Sequence, residues 1–223
     1  MKPCVIFDLD GTLADTSLDL LAAANRCFEE MGEAVRLNTD ADRMIALRGG
    51  RRMLTEGLTR AGRMDEAKVM QWYPRLLEVY AETLDVHTAM YPGAVASVEA
   101  LRGAGYAVGI ATNKPEGLAE ELLTRLGVRS LFDSMIGADT LPVKKPDPAH
   151  FWAAVDGCGG AREASLLVGD SDTDRKTSAA AGVPSVLVSF SPAGEAVRAL
   201  EPESVITHFD ELMGEVARLI GQP

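Results

Sequence analysis

Positive charge is what this 223-residue chain has least of. Its 22 Lys and Arg stand against 33 Asp and Glu, a formal net charge of −11. A field of that sign repels polyanions, so neither nucleic acid nor an anionic membrane is expected as a partner. An anionic substrate must then be drawn in by local features. Cysteine is scarce as well: Cys4, Cys27 and Cys158 are far apart, no C-x-x-C occurs, and an odd count fits no disulfide framework. All three read as small buried apolar residues, and a reducing compartment follows. No apolar stretch nears the roughly 20 residues that span a bilayer. The apolar run at Cys4–Phe7 breaks at Asp8, too early for a signal peptide, so the chain is expected to be cytoplasmic. Internal repeats and low-complexity segments are also lacking.

What is present is a regular alternation. Short apolar runs lie at 4–7, 107–112, 133–138, 165–170, 184–190 and 204–207, and helical patterns at 93–104, 116–127, 148–157, 173–181 and 208–220. The runs are continuous rather than alternating, as in strands buried on both faces. Gly127 and Gly182 stand just past two of the helices, where a left-handed C-cap residue is expected. The fold predicted is α/β, a doubly wound parallel sheet with a Rossmann-like core. Residues 15–86 break the rhythm. Leu18, Leu21, Phe28 and Met31 follow helical spacing up to Gly32, and further helices are expected over 39–47, 51–61 and 65–84. So long a block between two strands is not a simple crossover. It is predicted to be a small all-helical domain (15–86) inserted into a core made of 1–14 and 87–223.

Ligands of open parallel sheets bind outside the carboxyl ends of the strands. Four predicted strand ends carry chemistry: Asp8-Leu9-Asp10-Gly11-Thr12, Thr112-Asn113-Lys114, Lys144-Lys145-Pro146-Asp147-Pro148 and Gly169-Asp170-Ser171-Asp172-Thr173-Asp174. Residues i and i+2 of a strand share a side, so Asp8 and Asp10 repel unless a cation lies near. The plain alternative at each position is a solvated strand-end residue. Together, the carboxylates, hydroxyl and lysine suit a hard cation and a phosphate.

In this order the segments resemble the four motifs of the haloacid dehalogenase-like phosphohydrolases: DLDGT, ATNKP, KKPDP and GDSDTD. The resemblance runs over essentially the whole chain, and the helical insert is similar to that family's cap. It implies a phosphomonoester hydrolase working through an aspartyl-phosphate. Asp8 would be the nucleophile, ionised at neutral pH, and Asp10 would protonate the leaving oxygen and then activate water. Thr112, Asn113 and Lys145 would bind the phosphate. Mg²⁺ is the implied cofactor, since oxygen-only ligands suit its octahedral preference. Asp8 and Asp170 would supply carboxylates and Asp10 its carbonyl, with Asp174 at a metal-bound water or at Lys145. Lys144 rivals Lys145, but only Lys145 precedes proline. Gly11 would let the backbone approach closely.

The branch most resembled is the phosphoglycolate phosphatase-like one, and 2-phosphoglycolate is the leading substrate. A sugar phosphatase or a β-phosphoglucomutase-like phosphomutase is the alternative. The partner implied is a small phosphorylated metabolite, acted on by a monomer or homodimer. In the insert, Gly50 and either Arg51 or Arg52 could fork a substrate carboxylate, and a basic surface turn is the plain alternative. Asp172 reads as a loop acid, Asp15 as a helix cap or hinge, and His87, His150 and His208 as structural. Trp72, Tyr73, Leu76 and Tyr80 read as core of the insert.

Overall fold

The computed structural model describes all 223 residues. It divides into two compact units, Met1–Ala14 with Met90–Pro223, and Asp15–Ala89. The larger unit holds a six-stranded sheet. Its strands are β1 (Lys2–Phe7), β4 (Ala107–Ala111), β5 (Ser134–Ile136), β6 (Gly160–Gly169), β7 (Ser185–Val188) and β8 (Ser204–Ile206). The order is β5-β4-β1-β6-β7-β8, and every neighbouring pair is parallel. The chain builds outward on one side of β1, then crosses to β6 and builds outward on the other. The carboxyl end of β1 is therefore the switch point where such sheets bind ligands. Cys4 to Phe7 and all of β4 and β7 are buried, as the continuous apolar runs predicted.

Five helices of this unit connect the strands or close the chain: α5 (Ala94–Gly103), α6 (Glu116–Arg125), α7 (Pro148–Gly157), α8 (Asp172–Ala181) and α9 (Leu212–Ile220). Helix α7 begins at a proline, with the Asp147 carboxylate accepting the Ala149 N–H at 2.9 Å. Helix α8 begins with a capping box between Ser171 and Asp174 and ends at Gly182 in the left-handed region. The start of one strand and the start of one helix differ clearly from expectation. Strand β6 starts at Gly160 rather than 165, because its first residues, Ala-Arg-Glu-Ala, carry no apolar run, and its register shifts between Lys2 and Cys4 of β1. The final helix starts at Leu212, after a 3-10 turn over Phe209–Glu211.

The smaller unit contains α1 (Ser17–Glu30), α2 (Arg43–Leu47), α3 (Gly50–Arg60) and α4 (Glu66–Glu82). Short strands β2 (Ala14–Asp15) and β3 (Ala89–Met90) pair where the chain passes between units. Two residues each, they leave no sequence pattern. The expected helix at 39–47 shortens to α2 because side chains capture the preceding backbone. Asn38 Oδ1 accepts the N–H groups of Asp40 and Ala41, Asp42 Oδ2 accepts that of Asn38 at 2.7 Å, and Arg60 clamps both oxygens of Asp42 at 2.7 and 2.8 Å. The expected boundary at 86/87 moves to 89/90. The buried Asp19 carboxylate accepts the N–H groups of His87 and Thr88 and the Thr88 hydroxyl, which ties these residues to α1.

Phe28 of α1, Leu54 and Leu58 of α3, and Leu76 and Tyr80 of α4 are buried in this unit, while Trp72 and Tyr73 are half-buried. Gly57 packs against the far end of the Phe28 ring: a Cβ there would run into Cζ and lie 2.7 and 2.8 Å from Cε2 and Cε1. Gly57→Ala is expected to lower the unfolding free energy by about 1–3 kcal/mol. A denaturant titration that leaves the midpoint unmoved would show that the helices yield instead.

Candidate active site

Four loops of the larger unit bring the predicted residues together. Strand β1 ends at Phe7 and is followed by Asp8 at the sheet's centre, and the turn Leu9–Ala14 closes on itself through Leu9 and Ala14 carbonyls, with Gly11 at φ +82°. Only glycine holds that conformation without strain. Strand β4 delivers Thr112, whose N–H donates to the Ile136 carbonyl at 2.9 Å. The loop before α7 delivers Lys145, and the end of β6 delivers Asp170 and Asp174.

Lys145 is the joint of this arrangement. Its side chain is 1% exposed, and its Nζ stands 2.9 Å from Asp8 Oδ1 and 2.6 Å from Asp174 Oδ1. Burial alone would pull the ammonium's pKa down, but Asp174 and Asp8 outweigh it and hold the pKa above the ordinary value. Lys144 is exposed, and so is not the rival that sequence allowed. The Lys145 loop is pinned by the Asn113 side chain, whose Nδ2 donates to the Lys145 carbonyl at 3.0 Å.

Asp174 does two jobs that one sequence motif could not separate. Its Oδ2 accepts the Ser171 hydroxyl at 2.5 Å and the Ser171 N–H at 3.1 Å, completing the capping box of α8. The other oxygen holds Lys145. Such proximity needs Gly169, where any Cβ would run into the Asp174 side chain.

Asp8, Asp170 and Asp174 each offer a carboxylate oxygen, and these lie within 4.8 Å of one another. Lys145 alone does not balance them. Burial pushes Asp8 up to about 7, with Asp174 and Asp10 adding to the rise and Lys145 opposing it. Burial and the charges of Asp174 and Asp8 push Asp170 well above the ordinary range, against the Lys145 charge and a Ser191 hydrogen bond. Crowded buried carboxylates are the setting a hard divalent cation satisfies, and the donor set fits Mg²⁺.

Lys114 belongs to the second strand-end segment, and its residue pattern assigns it no role. It is buried, and its Nζ lies 2.9 Å from Asp10 Oδ1. The signal was available: a lysine two residues beyond a strand-end threonine reaches the same rim. His150 is buried and bonds the Gly137 carbonyl through Nε2 at 2.9 Å, a structural contact. Asp15 accepts the Ser17 N–H and hydroxyl and pairs with Arg43. In the smaller unit, Arg51 and Arg52 are exposed in the first turn of α3, and the Arg51 guanidinium lies 4.7 Å over the Tyr73 ring. Gly50 packs against α4, where a Cβ would sit 2.8 Å from Leu76 Cδ2.

Acids and a buried lysine at the switch point of a parallel sheet, with a helical insert after the first strand, define a haloacid dehalogenase-type hydrolase. The model for haloacid dehalogenase-like hydrolases matches residues 5–188, and the chain belongs to this family. It is 36% identical over 221 residues to a phosphoglycolate phosphatase of Mesorhizobium japonicum, covering 98% of this chain and 97% of the relative. It is 38% identical to that of Rhodospirillum rubrum, covering 95% and 90%. A crystal structure from Haemophilus somnus, described as a predicted phosphoglycolate phosphatase, shares the fold with a TM-score of 0.82 at 24% identity, over 96% and 97% of the two chains. No helix is long and apolar enough to cross a membrane.

Asp170→Asn removes one of the crowded charges. At neutral pH in the presence of a chelator, the variant is expected to melt above wild type. Each kcal/mol of relieved repulsion is worth about 2–4 °C for a chain of this size. A lower melting temperature under those conditions would mean that the carboxylates do not repel in the folded protein.

Proposed function

We propose that this hydrolase is a Mg²⁺-dependent phosphoglycolate phosphatase. The observation that carries the reading is the buried Lys145 ammonium between Asp8 and Asp174, with Asp10 two residues on from Asp8. The named activity of the Mesorhizobium and Rhodospirillum relatives, at 36% and 38% identity over nearly the full chain, supports the substrate.

In this reading an Asp8 oxygen attacks phosphorus in line, the phosphorus–ester bond breaks, and Asp10 gives its proton to the departing glycolate oxygen. A water then attacks the aspartyl-phosphate and passes a proton to Asp10. The bond to Asp8 breaks and inorganic phosphate leaves. Thr112 offers its hydroxyl and Asn113 its backbone N–H to the phosphate oxygens. Lys145 aims Asp8 and faces the phosphate with positive charge. The Asp8 and Asp170 carboxylates and the Asp10 carbonyl would hold the Mg²⁺. That ion, when bound, supplies the positive charge that lets a phosphate approach carboxylates. Asp174 acts through Lys145, because its own oxygens are engaged by Lys145 and the α8 cap.

With Mg²⁺, kcat/KM for 2-phosphoglycolate is expected to exceed that for sugar phosphates and nucleotides, with inorganic phosphate released stoichiometrically and activity lost in chelator. A sugar phosphate ranking first would replace the substrate, and an isomerised sugar phosphate without phosphate release would make the chain a mutase. Asp8→Asn should lose at least about a thousandfold in kcat, because an amide cannot form the phosphorylated intermediate. Substantial turnover by that variant would move the nucleophile elsewhere.

A further inference from the structure

We propose that Lys114 reads the substrate. It takes a carboxylate carried one carbon from the ester oxygen, and so makes the site selective for 2-phosphocarboxylates. The inference rests on the phosphatase reading above and assigns its specificity to the catalytic unit itself.

The first support is placement. Strands β1 and β4 are parallel neighbours, so Asp10 and Lys114 rise from adjacent strand ends. The base of Lys114 is fixed on both sides: its N–H donates to Thr112 Oγ1 at 3.2 Å, and its carbonyl accepts the Ala138 N–H at 2.9 Å. Its Nζ then reaches Asp10 Oδ1 at 2.9 Å, with the side chain 3% exposed. A group that protonates the ester oxygen must come within about 3 Å of it. Counting these contacts end to end, with the about 2 Å between the two oxygens of a carboxylate, Lys114 Nζ stands within about 8 Å of that oxygen. In a 2-phosphocarboxylate the carboxylate oxygens lie within about 4 Å of the same ester oxygen, by bond lengths alone. The ammonium and the carboxylate share one small volume.

The second support is charge. The rim holds four carboxylates, Asp8, Asp10, Asp170 and Asp174, against two buried ammonium groups, Lys145 and Lys114. Lys145 is committed to Asp8 and Asp174. The chain's net charge of −11 gives no help from a distance. A phosphate that also bears a carboxylate brings one more negative charge, next to Asp10. Lys114 is the cation at that spot. A neutral alcohol as leaving group would need no such residue.

The test compares 2-phosphoglycolate with ethyl phosphate, which has a methyl group in place of the carboxylate. Wild type is expected to prefer 2-phosphoglycolate. Lys114→Met should lose about 10- to 100-fold in kcat/KM on it, chiefly through KM, from a lost charged contact. The same change should cost far less on ethyl phosphate. Lys114→Arg, which keeps the charge, should retain the preference, and so should Arg51→Ala and Arg52→Ala. Binding of 2-phosphoglycolate to Asp8→Asn, read by calorimetry, should weaken by the same factor when Lys114→Met is added. If Lys114→Met loses equally on both esters, Lys114 serves Asp10 alone and the inference fails while the phosphatase reading stands. It also fails if the preference disappears with Arg51 or Arg52. If wild type shows no preference for the carboxylate, the inference and the 2-phosphoglycolate reading fall together, and the phosphatase chemistry survives on whichever ester is cleaved.

Discussion

A lysine ammonium buried between two carboxylates is the contact on which the rest of the rim depends. Lys145 stands 2.9 Å from Asp8 and 2.6 Å from Asp174. Taking an ammonium out of water is costly, and the two carboxylates in contact with it offset that cost. The surrounding residues make sense as supports for that one placement. Asn113 holds the Lys145 carbonyl, Asp147 caps the helix that begins just after it, and Gly169 lets Asp174 come close. The capping box at Ser171 keeps Asp174 aimed while it satisfies the start of α8. Three separate chain segments are thereby registered to within hydrogen-bond distance.

Such a rim opposes folding, and the sheet beneath it offsets the opposition. Raised pKa values at Asp8 and Asp170 mean that their ionised forms are disfavoured in the folded chain at neutral pH. Cys4 to Phe7, β4 and β7 are buried strands with apolar neighbours on both faces. A central strand flanked by β4 and β6 is the best-supported place in the molecule to end in charged residues. Topology reinforces this. Because the chain reverses its direction of growth at β1, adjacent loops leave toward opposite faces, and the strand's end opens a crevice. The acids face one another in that crevice instead of open water.

Much of this was legible from residue patterns, and the failures share a cause. Continuous apolar runs announced β1, β4 and β7, and the four strand-end motifs placed Asp8, Lys145 and Asp170 on one rim. What escaped were features made by side chains acting on backbone. The Asn38–Asp42 turn replaced part of a helix because two carbonyl-bearing side chains outcompeted the helical hydrogen bonds. The unit boundary moved because Asp19 reached 68 residues along the chain to His87. The first half of β6 was missed because its small residues and two charged ones make no apolar run, and its pairing is decided by the neighbouring strand. Asn113 was expected at the phosphate, and its side chain also braces Lys145. Helical and strand periodicity report which face is buried. They say nothing of which amide a carboxylate will accept.

The contrast between the two buried lysines then follows from position. Lys145 stands between Asp8 and Asp174, the acid that also caps α8. Lys114 stands beside Asp10, the acid that the proposed mechanism assigns to the leaving group. At physiological salt, charges separated by more than about 8 Å are largely screened. A chain at −11 can therefore hold a polyanion only by cations in contact with it, and surface arginines at a distance cannot substitute. Burying the cations makes each contact count for more, since screening and competing water are both reduced. It also ties each one to a fixed acid, so that positive charge appears at set points of the rim. For a substrate with two anionic groups, the spacing of those points then matters more than their number.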